Sequence, residues 1–296
     1  MIKEDLNVIK ELCSEHLMTG DTGSIRVHRL GGLTNKNYKV VVGRDTYVIR
    51  LPGEGTDELI NRRDEHICTR LANHIGIDSK LIYFKDENGI KITQYIENAE
   101  TMNKKSVKNI ENMQAIAEIF KKLHTCGETI PVRFNVFEKI EEYENLLKKY
   151  SINFLWEDYE EIKKQVYDLG KEIDEMKIRL TMCHNDPLCE NFVKGTDRMY
   201  LVDWEYAGMN DPMWDLADIF IEAEFTSEEE TLFNSFYFGQ EPDEQIKRRI
   251  LINKVFLDFL WSLWGKQRYS CGVDLIEYAN DRYARTKKHL KLLTIA

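Results

Sequence analysis

The feature that most constrains the fold of this chain is a change of hydrophobic period close to residue 98. Before it, apolar and polar residues alternate in short runs. S-I-R-V-H-R-L begins at Ser24, N-Y-K-V-V-V at Asn37 and T-Y-V-I-R-L at Thr46; L-I-Y-F and I-K-I-T-Q-Y-I follow from Leu81 and Ile90. Turn-forming residues separate the runs: G-G-L-T-N-K at 31–36, Gly43-Arg44-Asp45, and D-E-N-G at 86–89. Alternation bounded by such turns predicts strands joined as hairpins. Two helices are expected within this part, over residues 1–20, ending at Gly20, and over 57–74, with Leu59, Ile67 and Leu71 on one side. The first 97 residues therefore read as a small, mostly antiparallel five-stranded sheet with an inserted helix.

After Asn98 the period becomes helical. Ile110, Met113, Ile116, Ala117, Phe120 and Leu123 recur at three- and four-residue spacing. Charged helices are expected over 137–149 and 157–177. R-L-T-M-C (179–183) and F-V-K-G-T-D-R-M-Y-L-V-D-W (192–204) read as short strands, the latter a hairpin around Gly-Thr-Asp. Everything beyond Pro212 reads as helix. The expected architecture is α+β, with a sheet lobe over 1–97, a larger helical lobe over 98–296 and a hinge near Gln94 to Asn98.

The chain has 296 residues, enough to bury a core without metal or disulfide staples. Its net charge of -10 sets nucleic acid aside as a partner. The six cysteines show no C-x-x-C spacing, the N-terminus has no apolar segment of a signal peptide, and no run approaches the length of a membrane span. A cytoplasmic protein with reduced thiols is expected. Oligomeric state is not legible.

C-H-N-D-P-L-C-E-N-F, residues 183–192, concentrates reactive side chains. Cys183, His184 and Cys189 give three soft ligands where a closed zinc site takes four. A thiol nucleophile needs a positioned base that the local sequence does not show. The third reading uses Asp186 and Asn191 in H-x-D-x4-N, followed by Asp203 at the end of the hairpin. Phosphoryl transfer needs one carboxylate to orient an attacking hydroxyl. It also needs an amide oxygen and a second carboxylate to hold Mg²⁺ against nucleotide phosphates. The plain alternative is that Asp186 and Asn191 cap turns. In the sheet part, the backbone of Gly31-Gly32 is free to approach phosphates, as is any Gly-containing hairpin. Arg50 ends a strand and Glu65 lies on the next helix. They are either a phosphate-facing cation and its partner, or surface charges.

This order of parts resembles the protein-kinase-like phosphotransferases, and within them the choline/ethanolamine kinase family, near the aminoglycoside phosphotransferases. The residues that carry the resemblance are H-N-D-P-L-C-E-N-F-V, L-V-D-W-E-Y-A-G-M-N-D-P-M-W-D-L-A, F-L-W-S-L-W-G and E-Y-A-N-D-R-Y. The texture is similar to the bacterial choline kinases. The resemblance runs from about Ser24 to about Lys288 and implies an ATP- and Mg²⁺-dependent kinase of choline. It implies a catalytic base in Asp186 and metal ligands in Asn191 and Asp203, with Glu205 assisting through water. Arg50 becomes the phosphate cation, oriented by Glu65. Gly31, Gly32 and Asn35 fall in the phosphate loop, and Gln94, Tyr95 and Ile96 in the adenine hinge. Unlike protein kinases, the strand cation is Arg and the loop has fewer Gly.

A quaternary ammonium donates no hydrogen bond, so aromatic faces and negative charge must recognise it. Trp261 and Trp264, three apart, share a helix face; Tyr206, Tyr278 and the carboxylates of Glu205 and Asp211 complete the expected cage. Two Trp at that spacing also suit a core. Trp214 is expected to pack its helix on the hairpin, Asp215 to brace the catalytic loop, and His184 only to shape it. Ethanolamine, an aminoglycoside or a thiamine-like cation remain alternative acceptors, and an inactive nucleotide-binding interaction protein an alternative of another class.

Overall fold

The computed structural model describes residues 3–17, 25–31, 35–53, 60–149 and 156–295. Helix α1 (Lys3–His16) precedes strands β1 (Arg26–Arg29), β2 (Lys36–Val42) and β3 (Asp45–Leu51). Helix α2 (Arg62–His74) leads to β4 (Leu81–Phe84) and β5 (Lys91–Gln94). These five strands form one antiparallel sheet in the order β1-β2-β3-β5-β4. Alternation sets its inward face: Tyr38, Val40 and Val42 of β2 and Ile49 and Leu51 of β3 pack with Ile9, Leu12 and Cys13 of α1. Tyr38 donates its hydroxyl to Asp5 at 2.6 Å, so that buried hydroxyl is satisfied.

Helix α2 starts later than expected. Asn61 caps it, its side chain accepting from the backbone of Arg63 and Asp64, and capping chemistry overrides the apolar period. Residues 54–59, like Gly20 and Gly32, lie outside the described residues. Cys68, Ala72 and Ile77 from α2 and the turn after it belong to the larger core rather than to the sheet's own.

The strand β6 (Glu100–Thr101) pairs with β8 (Phe192–Lys194), which pairs with β9 (Met199–Leu201); β7 (Thr181–Cys183) pairs with β10 (Gly208–Asn210). The hairpin 192–204 is as expected; β6 and β10 are too short for periodicity to reveal. The rest is helical: α3 (Ile110–His124), α4 (Val136–Lys149), α5 (Tyr159–Glu175), α6 (Met213–Glu222), α7 (Ser227–Phe238), α8 (Glu244–Ser270) and α9 (Ile276–Ile295). Helix α8 is buried around most of its girth, as expected of a central helix. At Gly265 an added Cβ would stand 2.9 Å from Tyr278 and 3.0 Å from Ala279, so the absent side chain lets α9 press against α8. Among the described residues no helix is long and apolar enough to cross a membrane.

Candidate active site

The C-H-N-D loop leaves β7 and is held from beneath by α6. Asp215 is fully buried and accepts from the backbone N–H groups of His184 and Asn185, both at 2.8 Å. His124 meets its Oδ2 at 3.0 Å and Tyr237 at 2.8 Å. Asp215 braces the loop, as expected. Trp214 does more than pack: its indole donates to the Asn185 carbonyl at 3.0 Å. Asn185 adopts φ +66, a strained region for a residue with a side chain. It is over-determined by its own amide, which donates to the Tyr206 carbonyl at 2.9 Å and accepts from Asn210. His184 reaches the Val202 carbonyl at 3.0 Å and packs edge-on against Trp204; burial pulls its imidazole pKa down. It shapes the loop.

Asp186 follows this braced pair. Burial, then the carboxylates of Asp203, Glu222 and Glu205, push its carboxyl well above the usual range, while Arg282 pulls it down. Asn191 ends a one-turn 3-10 segment (Cys189–Asn191) and donates its amide N–H to the Asp186 carbonyl at 2.9 Å. Its carbonyl accepts from Val202 N–H at 2.9 Å, which sets it beside the far end of the hairpin. There Asp203 stands at φ +73, its Oδ1 buried without a hydrogen-bond partner. Burial and then Glu205 push its carboxyl up to about 7 against the pull of Lys91 and Arg50.

Across from the loop, Arg50 of β3 forms a two-pronged ion pair with Glu65 of α2, at 2.5 and 2.9 Å, both side chains buried. Its guanidinium also donates to the Gly89 carbonyl at 2.8 Å and lies 3.7 Å from Asp203. Burial opposes charge on Glu65, but Arg50, Lys91 and Arg62 hold it down at about 2. Carboxylate oxygens of Glu65, Asp203 and Glu205 lie within 4.8 Å of one another. Those of Glu65 are committed to cations, and Glu205 Oε1 accepts from Arg62 at 2.5 Å and Asn35 at 2.9 Å. Asp203, whose Oδ1 takes no hydrogen bond and lies 3.7 Å from the Arg50 guanidinium, and the Asn191 amide oxygen offer hard donors to a cation, and hard oxygens suit Mg²⁺.

The expected phosphate-loop and hinge residues divide. Gly31 is exposed with open space at its Cα, and Asn35 is buried with its amide spent on Glu205; Gly32 lies outside the described residues. Gln94 closes β5. Tyr95 donates its N–H to the Thr46 carbonyl at 3.0 Å, so that N–H is taken, and Ile96 packs by Gly195 in the turn between β8 and β9.

Tyr206, Trp261, Trp264 and Tyr278 form a chain of edge-on rings, with centroids 5.3, 6.1 and 5.8 Å apart. Trp261 is buried between its neighbours, while Tyr206, Trp264 and Tyr278 remain partly open. Asp186 acts electrostatically on Tyr206, Tyr278 and the buried Tyr143, whose hydroxyl is hydrogen-bonded to Tyr206. The expectation for Asp211 needs correcting. Its carboxylate is spent on Arg249, at 2.5 and 3.1 Å, on Asn253 and on the first turn of α6, so it lends the rings no free charge. The acids that do stand near them are Asp218 and Glu222, on the same face of α6 as Asp215. Glu222 pairs with Arg282, which lies over the Tyr278 ring at 5.0 Å. Asp218 is fully buried with both oxygens unpartnered. Sequence reasoning passed over Tyr143, Asp218, Glu222 and Arg282; the i, i+3, i+7 spacing of Asp215, Asp218 and Glu222 was the available signal.

The thiol readings fare poorly. Burial raises the thiols of Cys183 and Cys189, the latter to about 12, which opposes the thiolate a nucleophile needs. Cys183 groups with His124 and Asp215, not with His184 and Cys189.

A family model described as choline/ethanolamine kinase matches residues 27–245. Protein LicA of Haemophilus influenzae is 28% identical over 276 residues, covering 91% of this chain and 81% of that protein. The crystal structure of choline kinase LicA from Streptococcus pneumoniae superposes with a TM-score of 0.82 at 36% identity, over 96% of this chain and 98% of that one. A LicA structure in complex with AMP gives 0.81 at 36%, over 97% and 98%. With APH(2'')-IIa, in ternary complex with streptomycin and ATP, the TM-score is 0.66 at 15% identity, over 96% and 97%: a likeness of fold.

Proposed function

This chain belongs to the choline/ethanolamine kinase family, and we propose that it is an ATP- and Mg²⁺-dependent choline kinase. Its product is phosphocholine. What supports the reading is that the Asp186 carboxyl interacts electrostatically with two unlike groups. One is Asp203 and Glu205, beside the Arg50–Glu65 pair. The other is the ring chain through Tyr206 and Tyr278.

In the mechanism, Asp186 accepts a hydrogen bond from the choline hydroxyl, aims its oxygen at the γ-phosphorus, and takes the proton as the O–P bond forms and the bond to ADP breaks. Its raised pKa makes it a better proton acceptor than an ordinary aspartate. Asn191 and Asp203 would hold Mg²⁺, with Glu205 assisting through water, and the ion would neutralise phosphate charge. Arg50 offsets further phosphate charge; its fork is pinned by Glu65, so little rotamer freedom is lost on binding. The aromatic rings take the trimethylammonium, and Glu222 supplies the negative potential expected of Asp211; burial, then Glu222 and Asp186, push the Asp218 carboxyl well up toward its neutral form. Because little covalent chemistry is asked of the side chains, positioning carries the rate. The glycine turn at 31–32 and the hinge at 94–96 are assigned to the nucleotide, with the lobes divided at 97/98. A cytoplasmic location, where ATP is supplied and thiols stay reduced, completes the reading.

Ethanolamine is the second reading. Its primary ammonium needs hydrogen-bond acceptors, and Asp218 offers two unpartnered oxygens beside Glu222. A coupled assay of ADP release over choline, ethanolamine and an aminoglycoside decides between them. Choline-dependent release with the highest kcat/KM supports the proposal; release equal with and without every acceptor refutes it.

A further inference from the structure

We propose that Asp78 is a positioning residue for Asp203, acting through the indole of Trp204. The proposal rests on Asp203 being a metal ligand. Asp78 lies in the turn between α2 and β4, 3% exposed. Its Oδ2 accepts from Trp204 Nε1 at 3.0 Å, and its Oδ1 from the Ser79 N–H at 2.6 Å. The residue before it, Ile77, accepts at its carbonyl from the Leu201 N–H at 2.9 Å. This turn therefore grips the strand on both sides of Asp203.

The remaining neighbours are fixed as well. Val202 donates to the Asn191 carbonyl and accepts from His184. The Trp204 ring is fully buried against His184. Asp203 sits between these anchors at φ +73. A non-glycine residue held there is strained and stays only where its surroundings over-determine it. Leu201, Val202 and Trp204 supply that determination, and Asp78 fixes the last of the three. Released, Asp203 is expected to relax to negative φ and swing its carboxylate away from Asn191.

The use of a carboxylate here needs a reason, because a buried aspartate is costly and a neutral acceptor also satisfies an indole. Burial raises the Asp78 carboxyl to about 6 against the pull of Lys91, the Ser79 N–H and Trp204. What a carboxylate adds is two acceptor oxygens at once. One ties the residue to its own turn and the other ties that turn to the metal hairpin. Because α2 carries Glu65 and the following turn carries Asp78, one element orients both Arg50 and Asp203. Cys68, Ala72 and Ile77 seat that element in the core shared with the hairpin residues Phe192, Met199 and Leu201.

The test measures Mn²⁺ binding to the protein–ADP complex by electron paramagnetic resonance, and choline KM alongside. The variants are Asp78→Leu, Asp78→Asn, Trp204→Phe and the Leu/Phe double. Loss of an outer partner of a metal ligand typically weakens metal affinity 10–100-fold. Asp78→Leu and Trp204→Phe are each expected to do so, with choline KM within about threefold. The double should be no weaker than the worse single, and Asp78→Asn, which keeps one carbonyl but must give up either the indole or the Ser79 N–H, should fall between wild type and Asp78→Leu. Trp204→Phe retains most of the buried ring and carries the test alone if Asp78→Leu does not fold. Unchanged Mn²⁺ affinity in a folded variant overturns the proposal, as do additive losses in the double or a choline KM that rises in step. A wild-type chain that binds Mn²⁺ and ADP yet fails to phosphorylate choline sinks the function proposed above and leaves this test standing.

Discussion

Replacing Asp215 by Asn changes one atom and should disable the enzyme. Three bonds converge on this buried carboxylate: the N–H of Asn185 on Oδ1, and the N–H of His184 with His124 Nε2 on Oδ2. An asparagine keeps one acceptor oxygen. Whichever way its amide is turned, one backbone N–H of the catalytic loop faces an NH₂ and is left unpaired. A buried orphaned donor costs about 1–3 kcal/mol, and the bonds that survive lose their charge assistance. Together these give a destabilisation of about 2–4 kcal/mol with no change in side-chain volume. The strain at Asn185 is no longer fully opposed, so the loop relaxes and Asp186 moves; a displacement near 1 Å costs on the order of 100-fold in rate. Urea unfolding measures the first quantity and steady-state turnover the second. ATP KM should change little, since no atom of Asp215 faces the nucleotide side. A variant that unfolds at the parent's urea midpoint and turns over at the parent's rate refutes the bracing role.

Other outcomes follow from the same geometry. Glu65→Gln removes the charge that compensates Arg50; breaking a buried pair costs about 3–5 kcal/mol, so thermal unfolding should drop and ATP KM should rise, whereas an unchanged ATP KM excludes Arg50 as a phosphate contact. Trp264→Leu should raise choline KM about tenfold, the ~1.4 kcal/mol of a partly desolvated cation–π contact, and leave ATP KM alone; equal effects on both would mark Trp264 as core. Asp186 must be ionised to accept a proton, and its pKa is raised, so activity is lost as pH falls through that raised value. The acid limb of kcat/KM should lie above the ordinary aspartate value near 3.9. In kcat it should lie lower, because a bound cation favours the carboxylate. A kcat/KM limb at or below about pH 4 contradicts the desolvated setting of Asp186.

The features that sequence made legible are local ones. The β2-β3 and β4-β5 hairpins follow from turns that carry Gly43 and Gly89, and the 192–204 hairpin from its Gly-Thr-Asp turn, whereas the β3-β5 pairing is not local. Asp186, Asn191 and Asp203 share eighteen residues, and Arg50 and Glu65 sit on neighbouring elements. Partners that meet across the chain were hidden. Asp211 looked free because Arg249 lies 38 positions away. Asp218, Glu222, Arg282 and Tyr143 converge from three helices, and only packing brings them together. Asn35 is close in sequence to Gly31 and Gly32, yet its amide N–H goes to Glu205, 170 positions on. Helix α2 starts at its Asn61 cap rather than where the apolar period begins, and β6 and β10 are too short to show a period.

The central claim is that Asp186 takes the acceptor's proton beside a nucleotide held by Asn191, Asp203 and Arg50. Single-turnover transfer of radiolabelled γ-phosphate from ATP to choline, in wild type and Asp186→Asn, tests it most directly when nucleotide affinity is measured on the same samples. Loss of a positioned base should slow transfer by about 10²–10⁴ while nucleotide affinity stays within about threefold. Transfer at the wild-type rate in a variant that binds ATP normally contradicts it.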